Sequence, residues 1–167
     1  MRRLLVPLVV VAGLVLTACG SSTPAASPPA SAPAHAANPP VVSGATDLKA
    51  EPHIGPGTTP PPSSLETKDL VVGTGATATA SDTVQVQYVG TNYTDGKPFD
   101  SSWSRGQPSS FPLNQVVPGF AQGITGMKIG GRREIVIPPA LGYGTGRGPS
   151  GTSDETLVFV VDLLAIQ

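Results

Sequence analysis

The stretch Thr156–Ile166, T-L-V-F-V-V-D-L-L-A-I, constrains the fold of this chain more than any other. Leu157, Phe159, Val161 and Leu163 share one face of an extended strand, and Val158, Val160 and Leu164 share the other. A long strand that is apolar on both faces belongs in the middle of a sheet, covered on each side. From Leu65 onward the hydrophobic pattern is mostly period two, so strands dominate. After Gly130-Gly131 a strand is predicted over Arg132–Ile137. Arg133, Ile135 and Ile137 point one way, and Glu134 and Val136 the other. Pro138-Pro139 ends it, because neither proline donates to a ladder. Val84, Val86 and Tyr88 alternate with Gln85 and Gln87, which predicts a half-buried strand over Thr83–Gly90. Asp95-Gly96 supplies the residues of a hairpin turn. Further strands are predicted at Glu66–Val72 and, more weakly, near Ser110–Leu113. One short helix fits the pattern, Gly119–Thr125, entered by Pro118 and stopped by Gly126.

The 167 residues leave room for one domain with appendages. A net charge of -1, with 13% of residues charged, offers no basic face for nucleic acid. Met1-Arg2-Arg3 followed by an apolar run from Leu4 to Leu16 reads as a secretory signal peptide. The run is too short to span a bilayer as a mature helix. Arg2-Arg3 lacks the surroundings of a twin-arginine signal, which favours the ordinary secretory route. Leu16-Thr17-Ala18-Cys19 resembles a bacterial lipobox. That resemblance implies residues 1–18 as the signal, cleavage before Cys19 and a diacylglyceryl group on it. The alternative is an ordinary signal with a stray cysteine. Cys19 is the single cysteine, so it has no disulfide partner in the chain and joins no metal cluster. Two acyl chains suffice for stable anchoring, which predicts a lipid-anchored, extracytoplasmic location at the cell membrane.

From there to about residue 64 the composition turns to Pro, Ala, Ser and Gly with hardly a charge or an aromatic. Such a segment buries too little apolar surface to offset chain entropy, so residues 19–64 are predicted to form a disordered tether. As a coil it would span about 35–40 Å, and as polyproline roughly 140 Å. His35 and His53 fall within it and are read as solvated; its Ser/Thr/Pro stretches permit O-glycosylation.

Five segments then carry a resemblance over residues 65–167: V-Q-Y-V-G from Val86, D-G-K-P-F-D-S-S from Asp95, V-V-P-G-F-A-Q-G-I-T-G-M-K-I-G-G-R-R from Val116, I-P-P-A-L-G-Y-G from Ile137, and T-L-V-F-V-V-D-L-L from Thr156. In this order the region resembles an FKBP-type peptidyl-prolyl cis-trans isomerase. The resemblance implies an α+β fold, an antiparallel twisted sheet wrapped around one short helix, with a hydrophobic cleft between them. It implies rotation about X-Pro bonds, no cofactor, no metal, and a monomer. Its ligands would be proline-containing polypeptides and macrolide inhibitors.

Carried over position by position, the resemblance makes Tyr88 and Phe99 one wall of the pocket and Phe120 its floor. Val116 and Val117 lie along the rim, with the Val117 N–H directed at a substrate carbonyl. Phe159 closes the far side and Tyr143, between Gly142 and Gly144, points its hydroxyl at the ligand. Asp100 faces the pocket, oriented by Tyr88 and Arg105. Phe111 stays divided between pocket and core. For each phenylalanine the bland alternative is core, for Asp100 a turn residue, and for Arg105 a solvated charge. Trp103 reads as a partly exposed packing residue, and Arg132-Arg133 as a solvated strand start. Three departures from the family pattern stand out: Phe120 where tryptophan is common, Ser109 where an aromatic is common, and a loop over 145–155 without an apolar tip. They favour a competing reading, a chaperone or adaptor that grips proline segments with little turnover. A solute-binding lipoprotein is a third reading, opposed by the small single domain.

Overall fold

In the computed structural model the residues described are 39–58, 60–145, 148 and 154–167. The predicted signal peptide, Cys19 and the predicted tether up to residue 38 lie outside them. The two-faced strand sits where its pattern requires. β8, Leu157–Ile166, runs between β7, Arg132–Ile137, and β4, Thr83–Asn92. β3, Glu66–Val71, flanks β7 on one side. Two short strands share the outer edge of β4: β5, Pro98–Ser101, along Val89–Thr91, and β6, Ser109–Pro112, along Thr83–Val86. Every pairing is antiparallel. β5 has no counterpart among the strands read from sequence, because P-F-D-S has no alternation to detect.

One face of this sheet packs on α1, Pro118–Ile124. Val84, Val86, Ile135, Ile137, Leu157, Phe159, Val161 and Leu163 meet Phe120, Ile124 and Met127 there. Gly119 and Gly123, one helical turn apart, make the contact close. A Cβ on either would stand 2.3 and 2.5 Å from the Cγ2 atoms of Ile137 and Ile135. Alanine at either position would push the helix off β7.

The opposite face is covered by the stretch assigned to the tether, and here the sequence expectation is corrected. Residues 39–58 are part of the folded domain. β1, Val42–Ser43, pairs with β2, His53–Ile54, and Val42 and Ile54 pack with Leu70, Val89, Tyr93, Val136, Val158 and Val160. Burying one such aliphatic side chain is worth about 1.5–3 kcal/mol. The Gly57 N–H donates to the Tyr93 carbonyl at 2.7 Å. His53 is exposed, as expected.

Arg132 holds this strap down. It is fully buried, which corrects its reading as a solvated strand start. Its Nε and one terminal nitrogen donate to both carboxylate oxygens of Asp162 at 2.5 and 2.6 Å. The remaining N–H groups donate to the carbonyls of Gly44, Asp47 and Ala50 at 2.8, 3.0 and 3.1 Å. All the donors of the guanidinium are therefore used, the condition under which a buried cation is tolerable. Arg133 is also paired, its Nε donating to Asp69 at 2.6 Å.

Candidate functional site: an aromatic cavity closed by a carboxylate

The cavity opens where the first core face of the sheet meets the start of α1. It has a volume of about 300 Å³ and is lined by Tyr88, Asp100, Phe111, Gln115, Val116, Val117, Phe120, Tyr143 and Phe159. Tyr88 comes from β4, Asp100 from β5, Phe111 from β6 and Phe159 from β8. Four strands and the helix thus contribute one aromatic or acidic group each. Tyr143 follows the short 3-10 turn Pro139–Leu141, which the double proline initiates.

The rings meet edge to face. Phe120 and Phe159 have centroids 5.0 Å apart at 69°, Phe111 and Phe120 5.9 Å at 84°, and Tyr88 and Phe111 5.6 Å at 64°. Such geometry adds about 0.5–1.5 kcal/mol per pair beyond burial, so the walls are stiff. Phe111 belongs to both descriptions left open for it: it lines the cavity and packs on the core. Phe99 is half-buried and packs on the Phe159 wall of the cavity, its ring edge-on to Phe159 at 5.5 Å. Gly90, on β4, leaves space for this pair, since a Cβ there would lie 2.7 Å from Phe159 and 2.8 Å from Phe99. Gln115 was missed in the sequence, because a polar residue in a loop carries no pattern.

Asp100 is the polar edge. The Tyr88 hydroxyl donates to one carboxylate oxygen at 2.5 Å, and Arg105 bonds to the other. Arg105 also donates to the Tyr88 hydroxyl at 2.8 Å and to the Ser109 hydroxyl at 3.2 Å. Arg105 is a brace behind Asp100 and not part of the cavity lining. The serine at position 109 adds an acceptor for this arginine. Burial, then the hydrogen bond to Asp100, pushes the Tyr88 phenol up to about 12, so it stays a neutral donor. Burial also raises Tyr143, with the Asp100 charge adding to it. Among the described residues no acceptor takes the Val117 N–H at the head of α1, while its carbonyl accepts from Phe120 and Ala121. Trp103 is half-buried, as expected, with its indole N–H shielded from solvent.

The cavity offers an apolar concave surface, one carboxylate, a phenolic hydroxyl and a backbone donor. Residues 75–164 match the family described as FKBP-type peptidyl-prolyl cis-trans isomerase. A probable FK506-binding protein from Corynebacterium glutamicum is 47% identical over 106 residues, covering 64% of this chain and 90% of that protein. An FK506-binding protein from Streptomyces anulatus is 49% identical over 111 residues, covering 64% of this chain and 89% of its own length. The crystal structure of FkpA from Escherichia coli superposes with a TM-score of 0.59 at 44% identity, over 62% of this chain and 48% of that one. The chain belongs to the FKBP-type peptidyl-prolyl cis-trans isomerases. It is an isomerase that acts on proline-containing substrates, and its fold is the antiparallel sheet and single helix of that family.

Proposed function

We propose that the aromatic cavity is where the X-Pro bond turns, and that the enzyme works on exported polypeptides at the outer face of the cytoplasmic membrane. The barrier to rotation is about 18–20 kcal/mol, because amide resonance must be broken. Uncatalysed exchange takes tens of seconds or more. At the twisted transition state the nitrogen and the carbonyl lose conjugation, and no bond is made or broken. A dry pocket that fits the twisted amide better than either planar isomer lowers the barrier. In this reading Phe120 supports the proline ring from below, with Tyr88, Phe111 and Phe159 around it. The Val117 N–H receives a substrate carbonyl and holds the chain on the C-terminal side of proline. The Tyr143 hydroxyl donates to the peptide at the rim. Asp100, held by Tyr88 and Arg105, sets a fixed negative charge beside the amide carbon, whose electron deficiency grows as conjugation is lost.

The observation that carries this reading is the convergence of Tyr88, Phe120, Tyr143 and Phe159 on one cavity with Asp100 at its edge. Exchange spectroscopy on a short Xaa-Pro peptide tests it. Asp100→Ala and Tyr143→Ala, both folded, should catalyse far more slowly than the parent.

Location rests on the lipobox-like L-T-A-C and the Pro/Ala/Ser-rich tether up to residue 38. Cys19 would carry the lipid, and the tether would hold the isomerase domain away from the headgroups. Labelled palmitate should enter the full chain and the protein should sediment with membranes. Cys19→Ala should abolish both, and a Cys19→Ala chain that still takes up label would exclude this anchor.

A further inference from the structure

The strap does more than cover a face of the sheet, because one of its side chains reaches the strand that carries Asp100. Neighbouring residues of a strand point to opposite faces. On β5, Asp100 faces the cavity, while Ser101, in register with Val89, faces the strap. The Ser101 hydroxyl donates to the Glu51 carboxylate at 2.6 Å. The same hydroxyl oxygen accepts the Ser104 N–H at 3.2 Å, and the Ser104 hydroxyl donates back to the Ser101 carbonyl at 2.9 Å. Ser101, at the centre of this relay, is only 8% exposed. It sets the first turn of the loop that delivers Arg105. The next bonds continue that loop, from the Arg105 N–H to the Ser102 carbonyl at 3.2 Å and from the Gly106 N–H to the Trp103 carbonyl at 2.9 Å.

We infer that Glu51 is a positioning residue for the isomerase site, acting through Ser101 and Ser104 to hold Arg105, and with it the Asp100 charge, in place. This rests on the assignment of Asp100 to the site. Magnitudes favour a need for such support. The Arg105 and Asp100 side chains are each 42% exposed, and a solvent-exposed ion pair contributes little to stability. A pair that weak does not fix its own geometry against side-chain entropy, so the backbone that presents Arg105 must be held. Glu51 is suited to the task although its own side chain is exposed. It lies between Ala50, whose carbonyl Arg132 binds, and the buried Pro52. Its place is therefore set by the core anchor, and its bond to Ser101 is charge-assisted.

The test uses the full chain and the variants Glu51→Ala, Glu51→Gln, Arg105→Ala and Glu51→Ala/Arg105→Ala. kcat/KM on an Xaa-Pro peptide and amide exchange at Arg105 and Gly106 are read together. Glu51→Ala should lower kcat/KM about three- to tenfold, and removing Glu51 after Arg105 should cost nothing more. Glu51→Gln keeps a carbonyl acceptor and should restore most of the rate. The Arg105 and Gly106 amides should exchange about tenfold faster in Glu51→Ala, because exchange reports local opening. Equal losses with and without Arg105, or unchanged exchange at both amides, would overturn the inference. If Asp100→Ala and Arg105→Ala keep full activity, the assignment of the site fails instead. The exchange measurement then still decides whether Glu51 orders the loop.

Discussion

At the scale of single residues, the polar edge of the cavity is a chain of donors and acceptors that ends on Asp100. Tyr88→Phe removes a hydroxyl that both donates to Asp100 and accepts from Arg105. A hydrogen bond to a charged group is worth about 1.5–3 kcal/mol, so kcat/KM should fall about tenfold or more while the fold is retained. The raised phenol gives a second expectation. A group that ionises near 12 is neutral at every ordinary pH, so no loss of kcat/KM should be traceable to Tyr88 between pH 6 and 9. A descending limb in that window that vanishes in Tyr88→Phe would contradict it. Most of this constellation was legible through the family resemblance, whose five segments contain Tyr88, Asp100, Phe120, Tyr143 and Phe159. The distinction between lining and support was not. Arg105 braces Asp100 from outside the cavity and Phe99 packs on Phe159, contacts that depend on the meeting of β4, β5 and β8, which no local pattern encodes.

At the scale of elements, the strap is where sequence and structure part company. Its composition lacks the apolar runs that mark a strand, and its docking depends on backbone carbonyls of Gly44, Asp47 and Ala50, which have no signature in side chains. Arg132 looked like a surface residue because its partners lie 30 and more than 80 positions away. The strands, by contrast, were legible almost to the residue wherever one face is apolar, as in Arg132–Ile137. The anchor supplies a prediction about stability. Arg132→Ala leaves Asp162 buried and unpaired, a loss expected to cost about 3–5 kcal/mol in urea unfolding. A domain cut at Leu65, the boundary read from composition, should also unfold at lower urea than one beginning at residue 39, since it exposes Val89, Val136, Val158 and Val160.

At the scale of the whole molecule, stability should depend on pH through a carboxylate remote from the cavity. Glu134 is 1% exposed, and among the described residues neither carboxylate oxygen has a hydrogen-bond partner. Burial raises it to about 7, with Lys68 lowering it and Glu66 raising it further. The folded state holds this proton more tightly than the unfolded chain, so stability is fully present below about pH 4.5 and declines as pH rises towards 7. Glu134→Gln should remove that part of the slope, and identical pH profiles of parent and variant would refute it. Exchange spectroscopy on an Xaa-Pro peptide addresses the role of the cavity directly. Catalytic amounts of the parent chain should shorten interconversion from tens of seconds to well under one second. Asp100→Ala and Tyr143→Ala, with unfolding midpoints near the parent's, should lose about tenfold or more of that acceleration. If both variants, fully folded, accelerated exchange as well as the parent does, the bond would be turning somewhere else.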